Sequence, residues 1–384
     1  MKVIFFCNKM PDLCGAFLHD IDLGIELLKR GHHVIFLTIT IPKEGVNGGT
    51  YRGFRYLHYS AGTSFLETSD VWICPHAPVL GKVRNINNHN YNRPIVATCH
   101  YDGNYNMITS NGSTKWAELL FFINNVMETN YRKHISPWPA QIVRTEVIYP
   151  IMHEEKIRIT EPFQGEYITL INANENKGVH QFLDIARRMP DRKFLGILPY
   201  YGNLRIPANP PSNIKWIGFD DDVRNILKET RILLMPSYAE SFGRVAVEAM
   251  INGIPVIYAK PTPNSIYGGV STEGMQTWIG DAAISCTRDA IDEWVQAITS
   301  LDDTVVYDTL RQKGKDHIAS MPLFTEAPRI AGLVEQFSRE HPVVVRQATV
   351  TKSSAPADQV PRLVPKVTGP VGFGFSNGRL RIQR

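Results

Sequence analysis

Residues 232–259, ILLMPSYAESFGRVAVEAMINGIPVIYA, limit the fold more than any other part of this 384-residue chain. The run ILLM stops at Pro236, which has no backbone donor, so it reads as a short buried strand. A tight loop follows. Phe242, Val245, Ala246, Ala249 and Met250 then fall at i, i+3, i+4, i+7 and i+8, one apolar stripe of a helix facing a core. Ser241 is the expected N-cap and Gly253 the C-terminal stop. Pro255 opens the next apolar run, PVIYA. Strand, loop, helix and strand in this order predict an α/β domain.

A loop that leads from a strand into a helix N-terminus attracts anions. The amides at Phe242 and Gly243 lack intrahelical partners, and the helix dipole adds positive potential there. Two carboxylates frame the spot. Glu240 lies just ahead of the helix. Glu248 lies within it, roughly 8 Å along the axis from Gly243. A phosphate at the helix end with hydroxyls on either side matches the layout of a nucleotide sugar. A plainer alternative is an Arg244–Glu248 ion pair at i and i+4 on an ordinary helix surface.

The pattern Glu240-x7-Glu248, set within PS, SFG, EAM and GIPVI, resembles the signature of retaining glycosyltransferases of the GT-B fold, in particular the large family 4. The resemblance implies two Rossmann-like doubly wound domains facing a central cleft. It implies a nucleotide-diphosphate sugar as donor substrate, with a UDP-sugar the expected choice, and no cofactor or metal. It places Lys177, in NENKG, against the donor diphosphate. It places His100, at the end of the strand-like PIVATC, near the transferred sugar. Glu240 holds sugar hydroxyls, Glu248 the ribose diol, and Ser241, Phe242 and Gly243 the phosphate. The backbone near Gly218 holds the base. Two positions depart from the family pattern. Asn172 stands where an arginine is common, with Arg244 or a bound cation the alternatives for supplying the missing charge. Cys14-Gly15 stands where a Gly-Gly loop is common.

The rest of the chain repeats the α/β alternation. KVIFFC, a helix from about residue 17 to 30, and HHVIFLTI form a βαβ opening. One glycine, Gly15, in the first loop is not G-x-G-x-x-G, which weakens a dinucleotide-binding reading. DVWICP, PIVATC and TEVIYP read as further strands, and WAELLFFINNVME is apolar and either helical or strand-like, with Asn124-Asn125 a polar break. YITL, the helix after Lys177-Gly178, KFLGIL, IKWIGF, VRNILKE and RILLM repeat the alternation. Asp220-Asp221-Asp222 looks like a metal motif but fits acidic residues at a helix N-terminus. Gly268-Gly269 reads as a turn near the cleft mouth. The expected domains are 1–155 on the acceptor side and 156–322 on the donor side, with a helix at about 323–343 returning to the first.

Composition changes after Val345. Residues 345–384 hold seven basic residues against Asp358 alone, a net +6 that leaves the rest of this +4 chain at −2. Rich in Pro, Gly and Ser, this stretch is expected to be a disordered basic tail. No apolar run is long enough to span a membrane. Five scattered cysteines without C-x-x-C spacing suit a reducing cytoplasm.

The expected activity is thus hexosyl transfer, with retention, from a nucleotide sugar to a sugar, glycan or other hydroxyl acceptor. Nucleic acid as acceptor rests only on the basic tail. A GT-B-like binding protein with a decayed site is a rival outside enzymes, and an epimerase or phosphorylase on the same fold is a rival within them.

Overall fold

Four apolar runs in the first third of the chain are buried residue after residue: 3–6, 71–74, 95–99 and 119–122. Continuous burial marks strands covered on both faces, as parallel sheets require. The computed structural model describes residues 1–12, 14–41, 48–75, 78–100, 109–110, 114–115, 117–134, 144–200, 209–261, 272–343, 374–376 and 379–381. These fall into two compact units, Met1–Val343 and Val344–Arg384.

The elements up to residue 147 are β1 (Lys2–Cys7), α1 (Gly15–Lys29), β2 (His33–Thr38), β3 (Gly48–Tyr51), β4 (Phe54–His58), α2 (Thr63–Thr68), β5 (Val71–Pro75), α3 (Pro78–Asn90), β6 (Ile95–Cys99), β7 (Thr109–Ser110), β8 (Thr114–Lys115), β9 (Leu119–Phe122), α4 (Asn125–His134) and β10 (Arg144–Val147). An eight-stranded sheet takes the order β10-β9-β6-β5-β1-β2-β4-β3. All its pairings are parallel except β3 with β4. The ambiguous WAELLFFINNVME is a strand followed by a helix. Asn124 makes the break: its Oδ1 accepts the Met127 amide at 2.7 Å and caps α4.

The second half contains α5 (Glu154–Ile157), β11 (Tyr167–Leu170), α6 (Val179–Arg188), β12 (Phe194–Ile197), β13 (Ile214–Ile217), α7 (Val223–Glu229), β14 (Thr230–Met235), α8 (Arg244–Ile251), β15 (Val256–Ala259), α9 (Glu273–Ile279), β16 (Ile284–Cys286), α10 (Ile291–Ser300), α11 (Thr304–Ser320) and α12 (Glu326–Glu340). Its six strands are all parallel, in the order β13-β12-β11-β14-β15-β16. The chain runs outward from β11 on one side and from β14 on the other. Strand order therefore reverses between β11 and β14, the place where open α/β sheets characteristically form a crevice at the carboxyl ends of their strands.

The helix in the organising stretch starts later than its sequence suggests. Ser241 does not cap it. Gly243, at φ 74°, is the N-cap, and α8 begins at Arg244. A left-handed residue there turns the chain before the helix can start, and a Cβ on it would lie 2.5 Å from the Met275 sulfur. The other end is as expected. The Ile254 amide bonds to Ala249 and the Gly253 amide to Met250, a Schellman closure. Asp222 caps α7 by accepting the Arg224 amide and pairs with the Arg224 side chain, so it serves the helix terminus.

The last helix of the first unit crosses back to the first half. Glu335 on α12 bonds Arg30 at 3.1 Å and His32 at 2.8 Å. Glu326, only 2% exposed, accepts the Tyr149 amide at 2.9 Å and the Arg329 guanidinium at 2.8 Å. Its removal strands a buried donor. Glu326→Ala is expected to lower stability by about 2 kcal/mol, with Glu326→Gln milder because it still accepts the amide. Urea unfolding of the three proteins measures this, and equal midpoints would contradict it.

In the second unit, β17 (Gly374–Ser376) pairs antiparallel with β18 (Arg379–Arg381). Gly268-Gly269 lies outside the described residues. Among the described residues, no helix is long and apolar enough to cross a membrane.

Candidate functional site

The loops after β11 and β14 meet at the reversal of strand order. After β11, Asn172 takes a left-handed φ of 63°, a conformation asparagine tolerates better than most residues. Its Oδ1 accepts from Asn174 at 3.0 Å, and Asn174 Oδ1 accepts the Lys177 amide at 3.1 Å. At position 172, then, a turn-forming side chain stands where the resemblance implied a cation. Gly178, at φ 80°, lies against the Pro236 carbonyl, where a Cβ has no room. The Tyr238 amide bonds to Asn176 at 2.9 Å and completes the lacing.

That lacing brings Lys177 and Glu240 together. Lys177 Nζ donates to Glu240 Oε1, which also accepts from Ser237 Oγ at 3.1 Å. Glu240 is buried, at 8% exposure, while Lys177 keeps contact with solvent. A buried carboxylate with a cation and a hydroxyl donor is compensated in place.

Beyond Glu240 the backbone is held by two side chains. Asn124 Nδ2 donates to the Ser241 carbonyl at 2.8 Å. Trp278 Nε1 donates to the Phe242 carbonyl at 2.7 Å, and the Trp278 and Phe242 rings stack at 5.1 Å. Gly243 follows in its left-handed turn.

Arg244 does not pair with Glu248. Its Nη1 donates to the Ile151 carbonyl at 2.7 Å, and its Cδ would lie 3.3 Å from a Cβ on Gly15. Gly15 thus gives room for a side chain from the other half. This corrects the alternative of a surface ion pair, because the guanidinium is drawn towards the first half. Glu248, one turn along α8, is half-buried. Burial raises its carboxyl above the usual range, and Arg244 partly offsets that.

His100 follows β6, and its ring lies 5.1 Å from that of His19 on α1. Candidate ligand atoms of His19, Asp20 and His100 all lie within 4.8 Å of one another. Two histidines and a carboxylate suit a transition metal in kind. The hydrogen bonding does not suit one. His19 Nδ1 accepts the Ile151 amide at 3.0 Å, so the ring proton sits on Nε2, which then has no lone pair to give. Burial, with Arg244 second, holds His19 down to about 3 and keeps it neutral. Burial also pushes the Asp20 carboxyl well up. Ile151 therefore has its amide taken by α1 and its carbonyl by α8.

Of the residues singled out from sequence, Lys177, Glu240, Ser241, Phe242, Gly243 and Asn172 share the β11/β14 crevice. Gly15 and Arg244 touch across the two halves. His100 lies on the first half beside His19. Gly218 stands apart, just after β13, with nothing within 4 Å of the position a Cβ would take. Asn124, Ser237 and Trp278 were not read as site residues. Only Asn124 left a trace, as a polar break.

A family model described as "Glycosyl transferases group 1" matches residues 200–266. A D-inositol 3-phosphate glycosyltransferase of Corynebacterium kroppenstedtii is 28% identical over 127 residues, which are 32% of this chain and 26% of that protein. The chain thus spans about a quarter of that curated relative. Among solved structures, a sucrose-phosphate synthase from Thermosynechococcus elongatus superposes with a TM-score of 0.67 at 15% identity, over 88% of this chain and 99% of the other. An alpha-glucosyltransferase in complex with UDP and a 13-mer DNA containing a HMU base gives a TM-score of 0.58 at 13% identity, over 88% and 98%. With its two doubly wound halves, the chain has the GT-B fold.

Proposed function

We propose that this chain is a retaining glycosyltransferase that moves a hexose-type sugar from a nucleotide-diphosphate donor to a hydroxyl acceptor. The observation that carries this reading is the Lys177–Glu240 pair at the reversal of strand order, beside the held backbone of Ser241 and Phe242. Phosphate recognition at a helix N-terminus uses free amides with a cation nearby; the held carbonyls of Ser241 and Phe242 and the neighbouring Lys177 support that reading. The group 1 match over residues 200–266 supports the same class.

In this reading the bond between the anomeric carbon and the diphosphate oxygen breaks, and its electron pair stays on the phosphate. The acceptor hydroxyl adds on the face the diphosphate leaves. Its proton passes to the departing phosphate oxygen. The protein contributes position and charge. Lys177 and the amides of Phe242 and Gly243 stabilise the departing diphosphate. Glu240, steadied by Ser237, holds sugar hydroxyls, and Glu248 accepts from the ribose diol. His100 positions the sugar from the first half. Asn172 shapes the Lys177 loop, and Gly218 lies where a base would sit. No step calls on a metal, and UDP is the expected nucleotide, in keeping with the ligand of the alpha-glucosyltransferase of like fold.

A nucleic-acid acceptor is the second reading. It rests on the seven basic residues after Val345 and on the DNA in that same complex. One experiment addresses both. The protein is incubated with UDP-, GDP- and ADP-sugars, with monosaccharides or duplex DNA as acceptor, and nucleotide release and product configuration are read. Release from one donor series with an α-linked product from an α-linked donor is expected. Release with inversion would overturn the retaining assignment, and transfer to DNA alone would favour the second reading.

A further inference from the structure

Asn124 belongs to the first half, yet it bonds the backbone of the loop on which the proposed donor site depends. It is 7% exposed and uses both ends of its amide. Oδ1 caps α4 through the Met127 amide at 2.7 Å, and Nδ2 reaches the Ser241 carbonyl at 2.8 Å. The site is built closely around it. A Cβ on Gly274, the second residue of α9, would come 2.5 Å from Asn124 Nδ2. Only a residue without a side chain lets α9 approach this hydrogen bond.

The consequence follows from peptide geometry. A peptide unit is planar and trans, so its C=O and N–H point in opposite directions. Fixing the Ser241 carbonyl fixes the direction of the Phe242 amide. Fixing the Phe242 carbonyl, as Trp278 does at 2.7 Å, fixes the Gly243 amide. The two amides that face a phosphate in the proposed function are therefore set by two side chains. Trp278, on α9, comes from the same half as the loop. Asn124 comes from the other half, 117 residues away in sequence.

We infer that Asn124 is a positioning residue that orients the phosphate-facing Phe242 amide only while the two halves are in this arrangement. It thereby couples donor binding to their approach. The inference rests on the donor-site reading for its function, while the tie itself is a matter of geometry. Asn124 acts through the Ser241 peptide. When the halves separate, Ser241 loses its donor and its peptide is released to rotate. An asparagine suits the task because one oxygen is needed for the cap and one N–H for the carbonyl, at a fixed distance. Aspartate would supply the first and oppose the second.

The full chain, Asn124→Asp and Asn124→Ala are compared by hydrogen–deuterium exchange and by calorimetry. Calorimetry uses UDP, GDP and ADP and the matching nucleosides. Asn124→Asp keeps an oxygen for the Met127 amide, so exchange in 125–134 stays as in the parent. Exchange in 236–246 is expected to rise roughly tenfold, the factor for one lost hydrogen bond to a backbone group. The Kd for the nucleoside diphosphate should rise roughly tenfold while that for the nucleoside holds, since only the phosphate end is disturbed. Asn124→Ala is expected to loosen both segments. Unchanged exchange over 236–246 in Asn124→Asp overturns the inference, as does unaltered diphosphate affinity in a parent that binds it. If the parent binds none of the three diphosphates, the donor-site reading falls, and the exchange comparison still decides whether the tie exists.

Discussion

Lys177→Ala is expected to slow sugar transfer by about 10³-fold, the scale for losing one preorganised charge at a developing oxyanion. The effect belongs to kcat, because negative charge grows on the diphosphate as the anomeric bond breaks. The substitution has a second consequence. Glu240 is buried and its Oε1 faces Lys177 Nζ. Among the described residues, removing the cation leaves the carboxylate with only Ser237 as donor, at a cost of about 3 kcal/mol in stability. Loss of activity alone would therefore be ambiguous between chemistry and folding. The double variant Lys177→Ala/Glu240→Gln separates them. Its neutral amide still accepts from Ser237, so stability should return to within about 1 kcal/mol of the parent while transfer remains lost. Recovered activity in the double variant would show that Lys177 serves only to neutralise Glu240.

Glu248→Ala is expected to weaken nucleoside diphosphate binding by about 100-fold, the value of two charge-assisted hydrogen bonds to a diol. Glu248 makes no ion pair with Arg244, whose guanidinium is committed to the Ile151 carbonyl. A carboxyl that burial holds above its usual range, offset only in part by the nearby Arg244 charge, is costly, and such groups cluster at functional sites. The same environment predicts that Glu248→Ala leaves stability unchanged or slightly higher, because the desolvation penalty goes with the carboxyl. A structural role predicts the reverse, with lower stability and intact nucleotide affinity.

Much of the architecture could be read from local pattern. The burial of residues 232–235, the placement of Lys177 ahead of α6 and the stop at Gly253 all follow from short-range rules: apolar period, proline and glycine chemistry, and loop length. Apolar period places the cap at Ser241, but it carries no signal for the left-handed turn at Gly243 that sets the helix start. What periodicity could not supply were pairings between distant segments. Asn124 with Ser241, Ile151 with His19, and Arg244 with Ile151 join residues 117, 132 and 93 positions apart. None of these leaves a repeat or a spacing in the sequence. Position 172 shows the opposite limit. Compared with an arginine, Asn172 looked like a lost charge. In the structure it is the residue that lets the Lys177 loop turn.

The most direct test is calorimetric titration of UDP, GDP and ADP into the 384-residue chain and into its Glu248→Ala variant. One saturable site per chain, selective for one base and weakened about 100-fold in the variant, is the predicted result. No binding of any nucleotide to a folded parent protein, or equal binding to both proteins, would contradict a donor site built on the β14–α8 loop.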